Sequence, residues 1–176
     1  MKNKFEIWKT IKLGTYKSVE EILLEFATRQ EIGLGYRANY VLRQPELLIS
    51  KTETVINLVK IQVRELGPLK NLYYKSVFFK GEEIGFKICP GEVGLQLRLQ
   101  YTDQPRDENL TIAMKPILDL EKNTFLFTNS CYLDVGTLKN RLWLHTKSDT
   151  DASCLFFGEE DYVVFCLFYF LPIKNI

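Results

Sequence analysis

The chain has 176 residues, 46% hydrophobic and 26% charged, with a formal net charge of +1. That length suits one domain with a substantial core. The composition excludes a disordered chain, and the balanced charge removes any global attraction for nucleic acid or an anionic membrane. The four cysteines, at 89, 131, 154 and 166, form no CxxC pair. They read as buried thiols of a reducing compartment rather than a disulfide framework. The opening Met1–Trp8 carries no apolar stretch of signal-peptide length, and the greasiest run, Tyr162–Ile173, is too short to span a bilayer as a helix. A single cytoplasmic domain over residues 1–176 is expected, with no cofactor or metal.

In chain order, Lys4–Leu13 alternates in part and predicts a strand ending at Gly14. Ser18-Val-Glu-Glu21 is a capping box, and Val19, Ile22, Leu23 and Phe26 follow at helical spacing, which predicts an amphipathic helix from Ser18 to about Arg29. Gly33 and Gly35 break it, and Tyr36–Leu42 is a second short helix before Pro45. Val55–Val63 falls on period two with β-branched residues dominating, hence a strand. After the Leu66-Gly67-Pro68 turn, a helix fits Leu69 to Ile84 with Gly85 closing it, although Gly81 weakens its last turn. Leu95–Thr102, Leu110–Met114, Thr124–Thr128, Arg141–Thr146 and Tyr162–Leu171 then read as strands, with Asp134-Val-Gly136 among the connectors. Connections this short join antiparallel neighbours. The expected fold is α+β, with N-terminal helices and a C-terminal, mainly antiparallel sheet.

Three motifs stand out: Trp8-Lys-Thr-Ile-Lys-Leu-Gly-Thr-Tyr-Lys-Ser18, the run from Cys89 to Pro105 (CPGEVGLQLRLQYTDQP), and Ile112-Ala-Met-Lys-Pro-Ile117. Together they resemble an uncharacterised family of bacterial and phage-associated proteins, over roughly the first two thirds of the chain. The resemblance implies a bacterial or phage cytosolic single domain and attaches no activity. Beyond about Asn123 the pattern is lost.

Read as a strand, Leu95–Thr102 places Leu95, Leu97, Leu99 and Tyr101 on one face, and Gln96, Arg98 and Gln100 on the other. That polar row, with Glu92 and Asp103 at its ends, is the candidate ligand-binding set. The Arg98 guanidinium would hold a carboxylate or phosphate, and the glutamines would read amide or base edges. About 30 Å of extended chain would separate Glu92 from Asp103, too far for an acid/base pair. The competing reading is a solvated sheet face.

His145 is the sole histidine, so any imidazole catalysis must use it; Cys131, Ser148, Asp149 and Asp151 are conceivable partners, without a supporting motif. Asp149–Glu160 has calcium-loop spacing but Cys154 where the loop needs Gly. Tyr73, Tyr74, Phe78 and Phe79 among Lys70, Lys75 and Lys80 form a basic-aromatic stretch, for which core packing competes with base stacking. Phosphate-loop and dinucleotide motifs are missing from the sequence.

These features favour a non-enzymatic binding or interaction protein that contacts a protein partner or a small anionic ligand. The alternative is a small hydrolase or nucleic-acid-acting enzyme using Arg98 with Glu92 or His145. The C-terminal run Tyr162–Leu171, almost without polar alternation, is either a buried strand or a surface for a partner or homo-oligomer. Neither a membrane nor nucleic acid is the expected partner.

Overall fold

The computed structural model describes residues 5–118, 130–138, 141–148 and 156–167. Its frame is one curled, mixed sheet of eight strands. These are β1 (Lys9–Leu13), β2 (Ile32–Leu34), β3 (Thr54–Gln62), β4 (Asn109–Ile112), β5 (Ile117–Leu118), β6 (Ser130–Leu138), β7 (Arg141–Ser148) and β8 (Tyr162–Leu167). Seven lie in the order β1-β3-β8-β4-β6-β7-β2, and β5 pairs with β6 off that path. The helices are α1 (Val19–Thr28), α2 (Tyr36–Val41), α3 (Tyr74–Glu83) and α4 (Glu92–Gln100).

This corrects the expected arrangement of N-terminal helices and a C-terminal, mainly antiparallel sheet. The N-terminal half supplies both edges of the sheet, β1 and β2, while most of its middle comes from the C-terminal half. Two pairings are parallel, β2 with β7 and β4 with β8, so the sheet is mixed. The apolar run at Tyr162 becomes β8, inserted between β3 and β4, and Val163 to Leu167 are all buried. A strand covered on both faces has no solvent side to demand alternation, which accounts for its composition.

The largest correction concerns Leu95–Thr102, which is not a strand. Glu92 to Gln100 form α4, and all but the last of its nine residues are buried. Alternation of leucine with polar residues implies a strand only if one face meets water. Here the helix lies within the curl of the sheet, touching β1, β6 and β7, so the polar residues are as enclosed as the leucines. Intrinsic preference runs the same way: Glu, Leu, Gln and Arg are strong helix formers, and Val93 is the only β-branched residue of the segment. Gly94 lets the helix approach the sheet, since a Cβ there would stand 2.8 Å from Leu133 Cδ1. Val93, Leu95, Leu97 and Leu99 each contribute roughly 1.5–3 kcal/mol by burial.

Other elements follow their sequence signals more closely. Ser18 caps α1 by accepting from the Glu21 amide, and the Glu21 carboxylate accepts from the Lys17 amide. The third helix starts later than its pattern suggests, at Tyr74, and Gly85 follows its end at φ 106°. Within it Gly81 is a contact point: a Cβ there would lie 2.4 Å from the buried Phe165 ring. Tyr74 and Phe78 of the basic-aromatic stretch are buried against Tyr132 and Phe157.

Asp134-Val135-Gly136, expected as a connector, lies inside β6. The expected strand Thr124–Thr128, most of the calcium-like loop (Asp149, Asp151 and Cys154 included) and the end of the C-terminal run beyond Leu167 lie outside the described residues. Among the described residues, no helix is long and apolar enough to cross a membrane.

Candidate binding site

The polar row of α4 has a structural use. In a helix, Glu92, Gln96 and Gln100 fall at i, i+4 and i+8, on one face. That face runs along the free edge of β1. The Gln100 amide forms a reciprocal pair with Lys12, accepting from its N–H at 3.0 Å and donating to its carbonyl at 2.8 Å. Two residues on, the Glu92 carboxylate accepts from the Gly14 N–H at 2.7 Å through Oε1, and from the Ser50 N–H at 2.8 Å through Oε2. Gln96 bonds the Thr15 hydroxyl, donates to Glu92 at 3.0 Å and accepts from Gln100 at 3.0 Å. Alternate residues of an edge strand present unpaired backbone groups. The side chains of α4 serve them as a neighbouring strand would.

Arg98 is fully buried and points the other way. Its Nη1 donates to Gln104 Oε1 at 2.5 Å and to the Gly136 carbonyl of β6 at 3.2 Å, while Nη2 donates to the Tyr101 carbonyl just past the helix. Gln104 in turn donates to the carbonyls of Glu108 and Val135 at 3.1 Å. Burial pushes the guanidinium down to about 10, which leaves it charged at neutral pH, and Nε finds no partner among the described residues. Asp103 stands apart on the surface, 3.6 Å from the Lys9 ammonium.

His145 shares no site with Glu92 and Arg98. Its register partner in β6 is Asp134, so both project from the sheet face opposite Leu133, which packs on α4. The imidazole stacks on Trp143 with ring centroids 5.2 Å apart, and burial pushes its pKa down. Cys131 and Ser148 pair in register at the end of β6 and β7.

On that same face the buried Asp134 carboxylate lies 3.3 Å from Lys147 Nζ and bonds Thr111, while Oδ1 has no partner among the described residues. Burial raises its pKa, Lys147 and Thr111 oppose the rise, and Asp161 adds to it. An acid whose folded pKa exceeds its unfolded value costs stability while ionised, and the cost disappears as pH falls through the folded value. Asp134→Asn is therefore expected to gain most on the wild type near pH 7, with the difference shrinking as pH falls toward 4. Urea unfolding of both proteins across that range checks this; a difference that widens on acidification contradicts it.

Sequence reasoning missed a second cluster. Glu108 accepts from the Tyr101 hydroxyl at 2.8 Å and from Lys60 Nζ at 2.7 Å. Lys60 Nζ also lies 5.2 Å from the Trp8 ring and 4.9 Å from the Tyr162 ring, and Lys9 Nζ sits 4.3 Å over Tyr101. Burial, then Glu108, raises the Tyr101 hydroxyl pKa. The members come from four separated segments, so no spacing announces them. Every charge here already has a partner, which makes the cluster a clamp between β3 and the chain around β4.

A surface cleft lies at the other end of α4. There Cys89 and Met114 form a parallel bridge, bringing Cys89-Pro90-Gly91 beside Met114-Lys115-Pro116. Two of the three sequence motifs thus meet. Leu47 and Leu48 complete a cleft of about 420 Å³. Its wall is mainly apolar, with Glu46 and Lys115 exposed at the rim. Gly91 packs closely there: a Cβ would lie 2.6 Å from Leu47 Cδ1 and displace that methyl group. Leu48 is 75% exposed although it lines the cleft. The spacing within each motif carried no hint that the two would meet, because their contact depends on the path of the chain through α4 and β4.

Among the described residues, no group of three or more His, Cys, Asp or Glu side chains is placed to hold a metal ion. No protein-family model, curated protein or solved structure matches this chain.

Proposed function

We propose that the protein is a binding protein whose ligand is a small amphipathic anion, held in the cleft between Cys89–Gly91 and Met114–Pro116. The observation that carries this reading is the cleft itself: a concave, largely apolar wall of small-molecule volume with the Lys115 ammonium on its rim. Apolar contact with Leu48, Pro90 and Met114 supplies affinity, and Lys115 orients the charged end. The enzyme candidates of α4 favour binding over catalysis, because the Glu92 carboxylate and both Arg98 Nη atoms are directed at the chain's own backbone and side chains.

The test uses 1-anilinonaphthalene-8-sulfonate, an apolar anion whose fluorescence rises on leaving water. Saturable binding at one site is expected, weakened about tenfold or more in both Leu48→Asp and Lys115→Glu, about 1.4 kcal/mol for each tenfold. Both positions are exposed, so the core is untouched. Binding that is absent, or equally tight in both variants, overturns the reading.

A further inference from the structure

We propose that Cys89 and Cys166 are an oxidation site, which a hydroperoxide converts to an intramolecular disulfide. The two thiols are unbonded, 4% and 1% exposed, and their sulfurs lie 3.2 Å apart with Cys166 donating to Cys89. The backbone holds them there. Beyond the end of β4, the segment Lys87–Cys89 takes its place beside β8. Lys87 exchanges both backbone hydrogen bonds with Cys166, at 3.0 and 2.9 Å, and Cys89 donates its N–H to Ala113. Cys89, two residues from that pair, projects to the same side, as a diagonal neighbour of Cys166. Diagonal neighbours lie about 7–8 Å apart or somewhat less at Cβ, whereas a disulfide needs about 3.5–4.5 Å, so closing to a bond of about 2.05 Å requires the Lys87–Cys89 segment to shift toward β8 by on the order of 2–3 Å as the side chains rotate.

The oxidant approaches through the cleft, which Cys89 helps to line, and local opening precedes attack because the sulfur itself is buried against Cys166 and the Val164 carbonyl. This depends on the cleft's shape and not on what occupies it. The Cys89 thiolate attacks one peroxide oxygen, the O–O bond breaks, and Cys89 becomes a sulfenic acid as hydroxide leaves. The Cys166 sulfur then attacks the Cys89 sulfur, forming the S–S bond, and the sulfenic oxygen leaves as water with the thiol proton. Two thiols and one hydrogen peroxide give one disulfide and two waters; each sulfur loses one electron and the peroxide gains two. Burial, then the neighbouring Cys166, holds the Cys89 thiol well above the ordinary range, so Cys89 rests protonated and its oxidation quickens as pH rises.

The full chain is treated with hydrogen peroxide at pH 7 and pH 9, then denatured, alkylated and mapped by mass spectrometry. The expected product is a loss of two mass units, with the Cys89 and Cys166 peptides linked, formed faster at pH 9. In Cys166→Ser, Cys89 is expected to stop at the sulfenic acid and be trapped by dimedone. If that variant does not fold, the wild-type map still decides. Full alkylation of both thiols after peroxide, a link that uses Cys131 or Cys154 instead, or addition of oxygen without a link each overturns the proposal.

Discussion

Glu92→Gln is expected to destabilise the protein by about 2–4 kcal/mol, although it changes only one atom of a side chain in the centre of the molecule. The carboxylate serves three donors: the Gly14 and Ser50 amides and the Gln96 side chain. A carboxamide offers one acceptor oxygen, so its NH₂ must confront at least one N–H that then has no partner. Charge-assisted bonds are worth about 1.5–3 kcal/mol each, and an orphaned buried donor adds its desolvation cost. Glu92→Ala removes all three and opens a cavity, so it is expected to exceed the Gln variant. With urea m-values of about 1–3 kcal/mol/M, the midpoint for Glu92→Gln falls by on the order of 1–2 M. A change within about 0.5 kcal/mol would mean that the β1 edge does not depend on this carboxylate.

Arg98 carries the second large effect. Its guanidinium joins the end of α4, the following loop and β6 through Tyr101, Gln104 and Gly136. Arg98→Ala leaves two carbonyls and the Gln104 oxygen without a donor and empties a large buried volume, for an expected loss of about 3–5 kcal/mol. Arg98→Lys keeps the charge but not the planar fork, and a single ammonium cannot reproduce that set of bonds. An intermediate loss of about 1–3 kcal/mol is expected. Thermal unfolding of the two variants separates these roles. Equal stability of Arg98→Lys and wild type would reduce the fork to a point charge.

These two residues also mark where sequence reading succeeded and where it stopped. The Ser18 capping box and the apolar run at Tyr162 were readable because each signal is local: an N-cap needs one side chain, and a doubly covered strand needs only a lack of polar residues. Position 98 was singled out, but on the wrong element. Strand and helix patterns differ through their water-facing side, and α4 has almost none. The three-residue β2 was hidden by Gly33 and Gly35, which look like breakers. In the structure Gly33 admits the Trp143 ring, 2.6 Å from where a Cβ would stand. Sheet order depends on pairings such as Leu58 with Cys166, more than a hundred residues apart, which no local pattern encodes. The cleft was unreadable for the same reason, being assembled from Leu47–Leu48, Cys89–Gly91 and Met114–Pro116.

The α4 row as an internal closure, with the ligand site at the cleft, makes a residue-level claim. Backbone amide shifts of isotopically labelled protein, followed during titration with 1-anilinonaphthalene-8-sulfonate, test it most directly. The expected result is saturating shifts at Leu48, Gly91 and Lys115, while Gln96, Arg98 and Gln100 stay in place. Shifts centred on Arg98 and its neighbours, with the cleft residues silent, would contradict it.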